Sequence, residues 1–501
     1  METLISLMQM GSMDSSNMMD ITDAALKGDL KRLYQLAKEG TQALSGVRDN
    51  AYQYAILNNF SMITGMIQGI IRNGANVNAR DDQGLTALHL AASGKHPISS
   101  EVVRALLNVG ADPRAVDKKG NTPLHHAISL YDSAVPVMLL DESKKVSASS
   151  TKEFDEWART FIGLQNQDFY TDIIPSLIRS GANVNSKNKQ GETPIHLASL
   201  CGHPYASEVV RTLISFGADV NATDNNDDTP LHRTVGSFNE KVAKVLLESG
   251  ANTGAVNNLG STPLSYACTF DRTHNANITR LILKHGADTN ARQYNGSFPL
   301  TYAALTEFSG VTKIDALVAH GANVKLKGTN GITALFSALC NNHEDAVEIV
   351  KALLRHGADV NDTLPDGKSM LHVAVTNKNT NVVEVLLKHG ANVNAMESVG
   401  LRPLHELSGN TFSSVTGIAR LLISKGACVD LPDLGGFTPL HTAASMGNRP
   451  LVKYLVEEAG ADPALKNNRG FTPLKLASEN GFQSVVEYLL PVTKVQGKLQ
   501  K

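Results

Sequence analysis

Sixteen histidines, four cysteines and one Gly-Lys-Ser tripeptide are the parts of this 501-residue sequence that could carry chemistry. Imidazoles can hold a metal or trade protons near neutral pH. Their positions speak against both uses. His89, His125, His196, His232, His372, His405 and His441 all close the same short pattern, Thr-Pro-Leu or a near variant of it. His285, His320, His356 and His389 each stand directly before a Gly-Ala pair, and His96, His203 and His343 share a third recurring slot. A side chain refilled in unit after unit belongs to the scaffold, where an imidazole is expected to bridge a capping hydroxyl and a neighbouring backbone group. The metalloprotease pattern of two histidines four apart is missing, since His343-Glu344 has no second histidine. Gly367-Lys368-Ser369 looks like the end of a phosphate-binding loop, but position 362, where the loop's first glycine belongs, is Asp. Neither a cofactor nor a metal is expected, and no enzyme activity.

The cysteines, at 201, 268, 340 and 428, form no Cys-x-x-Cys pair, which leaves no support for a zinc site or a disulfide framework and favours a reducing compartment. With 46 Lys+Arg against 48 Asp+Glu, the chain lacks the basic field that nucleic-acid binding requires. The first twenty residues are rich in Met but have no basic start, unlike a signal peptide. No apolar run is long enough for a membrane span. These features predict a soluble chain, cytoplasmic or nuclear and not secreted. Hydrophobic residues make up 42% but aromatics only 5%, so the core must be built from small and branched aliphatics, which suits closely spaced helices.

The elements that position these residues repeat. Gly-x-Thr-Pro-Leu begins at Gly120, Gly191, Gly260, Gly436 and Gly470, with looser copies at Gly84, Asp227, Gly296, Gly331, Gly367 and Gly400. The starts recur every 33 to 36 residues, apart from one gap of 71 between Gly120 and Gly191. A second signature, Gly-Ala-Asp or Gly-Ala-Asn, closes the units at Gly74, Gly110, Gly181, Gly217, Gly250, Gly286, Gly321, Gly357, Gly390 and Gly460, with Gly426-Ala427-Cys428 as a variant. Within a unit, Thr122 reads as an N-cap and Pro123 as the first helical residue, since proline has no N–H to leave unpaired. A second helix follows with apolar residues at helical spacing, as in Glu208–Ile214. The Gly of Gly-Ala-Asp is its left-handed stop.

This pattern resembles the ankyrin repeat, an extended or hairpin finger followed by two antiparallel helices. Thr-Pro-Leu-His is complete at 122–125, 229–232 and 438–441, and Thr193-Pro194-Ile195-His196 differs by one residue. The resemblance covers nearly the whole chain and implies an all-α repeat solenoid. About fourteen units are expected: a Met-rich tail over 1–16, a capping half-repeat over 17–47, repeats over 48–119 and 191–469, a C-terminal cap over 470–491 and a short tail over 492–501. The 120–190 stretch holds one repeat plus either a degenerate unit, with Phe154–Ile162 in phase for a first helix, or an insertion. The degenerate unit is the favoured reading. The last helix is expected over Ser484–Leu490, stopped by Pro491.

Family resemblance implies protein–protein binding, as a scaffold, adaptor or inhibitor, through the finger tips and the concave side of the first helices. The alternative is the substrate-recognition subunit of a ubiquitin ligase, or an effector acting by binding; the short tail leaves no room for a ligase-recruiting box. Tips in the N-terminal half are polar, whereas Val256, Leu259, Tyr294, Leu364, Met396, Val399 and Leu434 occupy later tip slots. Tyr266 and Tyr302 follow the histidine slot in adjacent units and should face the concave side. Ankyrin proteins are also frequent targets of asparaginyl hydroxylation at the finger Asn of Leu-x5-Asp-Val-Asn. Asn221 and Asn361 match that pattern, while Asn394 follows Asn392 instead of Asp.

Overall fold

The fold is that of a computed structural model, which describes residues 76–93, 99–129, 172–269, 275–307, 309–341, 343–409 and 415–499. The expected tail, half-repeat and earliest repeat before residue 76 lie outside these residues, as does Phe154–Ile162. The chain divides into two compact bodies between Asn258 and Leu259.

Each unit is a helix pair. In the first body the pairs are Ala87–Ala92 with Ser99–Asn108, Pro123–Ser129 with 172–179, Pro194–Leu200 with Ala206–Ser215, and Pro230–Ser237 with Glu240–Glu248. In the second they run from Pro263–Thr269 with Asn275–Lys284 to Pro473–Glu479 with Gln483–Leu499. Within each body, first helices stack on first helices and second on second. Each interface is filled by small aliphatics, for example Ile195, Ala198, Val209, Val210 and Leu213 in the unit that starts at Gly191, all buried. Burial at roughly 25 cal/mol per Å² of apolar surface is what holds such an array together.

The turn glycines behave as their positions demand. Gly217 sits at φ 84°, ending the second helix, and the slot before the next first helix is also left-handed: Gly120 has φ 81°, and Asp227 takes φ 59° in the same place. Among the described residues the fingers form no strands. They are turns, closed by bonds such as Asp117 N to Asn121 O at 2.9 Å and Asn188 N to Glu192 O at 2.9 Å. In several fingers, among them those of Asp81, Asp117, Asn188, Asp224, Glu397, Asp433 and Asn467, the carboxylate or amide three residues before that left-handed slot folds back inside the turn. Asp117 Oδ1 accepts from the N–H groups of Lys119 and Asn121, both at 2.8 Å, and Asn467 and Asp433 do the same in their own units.

Across the 71-residue gap the two neighbouring units touch directly. Lys189 N donates to Lys119 O at 2.9 Å, and His125 Nε2 lies 3.1 Å from Glu192 O. Helix 172–179 stands in the row of second helices, with Asp172 paired to Arg104 on one side and Arg179 over the Phe216 ring on the other. Among the described residues both rows pass directly from the unit at Gly120 to the unit at Gly191.

At the C-terminus the structure differs from the sequence reading. The last helix does not stop at Pro491 but runs from Gln483 to Leu499 with the proline inside it. A proline removes only its own N–H bond and crowds one carbonyl. The Thr493 hydroxyl donates back one turn to Leu489 O at 3.0 Å, with Leu490 O at 3.2 Å, a side-chain bond within the continuing helix.

Candidate functional site

Every histidine of the Thr-Pro-Leu slot is buried. His196 shows why. Its Nε2 lies 3.0 Å from Asp228 O in the next unit, and a carbonyl only accepts, so Nε2 carries the proton. Nδ1 is then an acceptor, approached by the Thr193 hydroxyl at 2.7 Å and the Thr193 N–H at 3.2 Å. His89, His125, His372, His405 and His441 repeat the link to Asn121 O, Glu192 O, Leu401 O, Phe437 O and Phe471 O. At Thr86, Thr193 and Thr229 the hydroxyl meets the imidazole and makes no cap bond to the helix, a refinement of the simple N-cap reading. Desolvation by burial lowers the pKa of all six, for His89 from 6.5 to about 4. In the terminal unit the slot holds Lys475, exposed and paired with Glu479 at 3.2 Å.

A second link runs along the finger bases. Asn78, Asn185, Asn221, Asn290, Asn361 and Asn394 each donate Nδ2 to the carbonyl of the next Gly-Ala turn, at 3.0–3.4 Å. Their Oδ1 atoms accept from the backbone N–H two residues beyond that glycine, as Asn221 does from Asn252 at 2.7 Å and Asn361 from Asn392 at 2.7 Å. Asn221 and Asn361 are exposed, yet both ends of each amide join two units. A third link ties tip to tip, such as Lys118 N to Gln83 O at 2.8 Å, Tyr294 N to Leu259 O at 3.4 Å and Leu434 N to Val399 O at 3.2 Å.

Other titratable groups are engaged in the same way. Arg233 bonds Asp224 through Nε at 3.0 Å and lies 3.6–3.7 Å from Glu192 and Asp228; burial would raise the Asp224 pKa, but the guanidinium and two N–H donors outweigh it and hold the carboxyl low. Lys368 of the Gly-Lys-Ser tripeptide pairs with Glu406 at 3.1 Å and Ser369 caps a helix, so neither waits for a phosphate. Cys201 and Cys268 are buried, and burial pushes the Cys268 thiol up to about 12, far from a reactive thiolate. Among the described residues no group of His, Cys, Asp and Glu could hold a metal ion.

What the scaffold leaves uncovered is apolar surface at the tips. Tyr294 is 76% exposed, Leu434 65%, Leu259 61%, Val399 57%, Met396 55% and Val256 49%. In the second body these form two groups. Leu259 and Tyr294 share a tip bond, the Tyr294 ring lying so close over Gly260 that a Cβ there would come within 2.8 Å of it. Met396, Val399 and Leu434 make the other group, separated from the first by the polar tips Thr329–Asn330 and Pro365–Asp366. Val256 stands in the first body. Leu364 is half-buried and fills the slot that an inward-folding carboxylate or amide takes elsewhere. Tyr266 and Tyr302 are half-buried too, with the Tyr302 hydroxyl donating to Gln293 Oε1 at 2.6 Å on its own finger. The sequence pattern grouped all nine because slot numbers do not reveal which way a side chain folds.

This assembly of stacked helix pairs, turn glycines and inter-unit imidazoles defines a repeat protein of the ankyrin class. The description "Ankyrin repeats (3 copies)" matches residues 53–149, 164–257, 235–323, 307–397 and 404–498, and the chain belongs to that family. Similar proteins are diverse. A 133-residue stretch is 33% identical to the B-cell lymphoma 3 protein homolog of Mus musculus, covering 26% of this chain and 28% of that protein. Rabankyrin-5, also of Mus musculus, is 29% identical over 138 residues, 27% of this chain and 11% of its own length. ZDHHC13 of Danio rerio, named as a palmitoyltransferase, is 34% identical over 140 residues, 28% of this chain and 21% of its own length. The chain therefore spans less than a third of each of these relatives.

Proposed function

We propose that the chain is a protein-binding scaffold or adaptor whose contact surface is the row of finger tips, with no chemistry of its own. One observation carries this reading: the scaffold's own links take up the imidazoles of the Thr-Pro-Leu slot, the finger amides and the Arg233 cluster, while seven large apolar side chains, Val116 of an early finger among them, project from otherwise polar turns. Exposed apolar surface rimmed by polar groups marks interaction sites, and tyrosine is enriched among the residues that dominate binding energy. Tips held by backbone bonds lose little conformational entropy on binding. On this reading the chain works in a reducing, cytoplasmic or nuclear setting, since its four cysteines form no Cys-x-x-Cys pair. No helix among the described residues is long and apolar enough to cross a membrane.

The test is comparative affinity capture from the native cell with mass spectrometry. A chain carrying Tyr294→Ser, Val399→Ser and Leu434→Ser should retain about a tenth or less of the specific partner, roughly 1.4 kcal/mol of lost contact. A control carrying Lys119→Ser and Lys189→Ser should keep it. Loss in the lysine variant with retention in the apolar one places the surface on the N-terminal fingers instead and overturns the assignment. Hydroxylation at Asn221 and Asn361 belongs to the same proposal, and peptide mass spectrometry of the captured protein reads it directly.

A further inference from the structure

Three Asn-Gly pairs lie among the described residues: Asn295-Gly296, Asn330-Gly331 and Asn480-Gly481. At such a pair the backbone nitrogen of the glycine can attack the asparagine Cγ, forming the C–N bond of a five-membered succinimide and expelling ammonia. Water then opens the ring at either carbonyl, leaving aspartate or isoaspartate. The asparagine side chain must be free to turn and the glycine nitrogen free to move.

All three glycine nitrogens are bonded, Gly481 N to Ser478 O at 3.3 Å, and the sites differ chiefly in how the asparagine amide is held. Asn295 holds its amide at both ends, Nδ2 to the Tyr302 hydroxyl at 3.2 Å and Oδ1 from Ser297 N at 2.9 Å, while Gly296 N is bonded to Gln293 O at 2.9 Å. Asn480 donates Nδ2 to Ser445 O of the preceding unit at 2.9 Å. Asn330 is exposed, its amide makes no bond to the protein, and Gly331 N reaches Gly328 O only at 3.3 Å. It also sits at φ 59°, a left-handed conformation that a non-glycine residue occupies at some cost. Its finger lacks the usual restraints as well. Gly328 stands where other fingers fold a carboxylate inward, and Pro365 on the next finger has no N–H to bond the Asn330 carbonyl.

We propose that Asn330 is a spontaneous modification site, converting through a succinimide to aspartate and isoaspartate far ahead of Asn295 and Asn480. The product adds a negative charge, and in the isoaspartate form an extra backbone methylene, at the tip between the two apolar groups.

Full-length protein aged at mildly alkaline pH is digested and mapped by mass spectrometry for the gain of about one dalton, with isoaspartate resolved by chromatography. In the folded protein residue 330 should convert about tenfold faster than 295 or 480, the ratio expected when each competing site must first break one or two additional hydrogen bonds. In denaturant all three should convert at similar rates, each read on its own peptide so that Asn73-Gly74, outside the described residues, does not enter the comparison. Equal rates at the three sites in the folded protein would overturn the proposal.

Discussion

Two interfaces of the second body are built from the same helices and joined very differently. Between the units at Gly400 and Gly436, His405 reaches Phe437 O at 2.9 Å, Leu434 N bonds Val399 O at 3.2 Å, and Glu397 and Asp433 fold into their fingers. Asn394 ties the Gly426 turn to its own unit at 3.0 Å. Between the units at Gly331 and Gly367 each of these devices has been replaced. Phe336 stands in the histidine slot, Pro365 in the donor slot of the tip bond, Lys325 in the asparagine slot, and Gly328 and Leu364 in the inward-folding slots. A cavity of about 220 Å³ opens there, lined by Val324, Lys325, Lys327, Leu335, Asp359 and Asp362. Packing remains: Leu335, Ala338, Ile349, Val350, Leu353, Met370 and Leu371 are all buried. Lys327 also pairs with Asp362, and Asn377 Nδ2 bonds Leu339 O at 2.8 Å. Apolar stacking with these two remaining polar contacts therefore keeps the two units in register, while the recurrent links add rigidity that an array can omit locally.

The largest expected effect comes from cutting a link where it exists. His372→Ala would leave the Ser369 N–H and the Leu401 carbonyl without their imidazole partner inside a buried site. Two unsatisfied groups and a small void should cost about 2–4 kcal/mol, read as a fall in the denaturation midpoint. Thr301→Ala, in the same slot of the unit at Gly296, removes only bonds to Phe298 within its own unit and should cost about 1 kcal/mol. Equal losses from the two substitutions would show that the inter-unit bond adds nothing.

Acid should erase the contrast. An unfolded histidine binds its proton near pH 6.5, whereas His372, His405 and His441 in the folded chain are shifted downward, with burial the largest cause. Between the two values the unfolded chain holds more protons, so this contribution is complete above pH 6.5 and is lost as pH falls below it. For His89, shifted to about 4, the full swing is about 3 kcal/mol. Amides of residues 367–470 should exchange more slowly than those of 260–340 at pH 7.5, by about an order of magnitude or more. The gap should narrow by pH 5, after correction for intrinsic rates. A gap unchanged by pH would separate protection from the imidazoles.

Much of this was legible in the sequence because a repeat displays each constraint eleven times. The turn glycines, the Thr-Pro start and the scaffold role of the histidines could all be read from recurrence. Three features were not. That each imidazole reaches into the following unit depends on how neighbours stack, which no single unit records. That Leu364 is half-buried depends on the turn around it, since an apolar residue and a carboxylate can share a slot without sharing a role. Pro491 signalled a helix end, yet the helix runs through it to Leu499, since a proline removes one N–H bond and does not by itself decide where a helix stops.

The smallest expected effect is a gain. Asp430 occupies the slot where six asparagines link one unit to the next, and its two oxygens accept from Asp462 N at 3.2 Å each. A carboxylate cannot supply the other half of that link, the donation to the carbonyl of the turn glycine, here Gly460. Burial, together with the nearby Asp462 carboxylate, raises its pKa despite the bond from Asp462 N, so folding makes the charged form less favourable than it is in water. Asp430→Asn would keep the accepted bond, remove the charge and supply the missing donor. The expected gain is about 0.5–1 kcal/mol at pH 7, near the net value of one added hydrogen bond. Its pH dependence has a definite sign. A raised folded pKa means the folded chain takes up the proton first as pH falls, so the wild type recovers stability and the advantage of the variant shrinks toward pH 4. Chemical denaturation of both proteins at pH 7 and pH 4 checks this. A gain that is the same at both values would assign it to the new donor alone and leave the aspartate charge without a role.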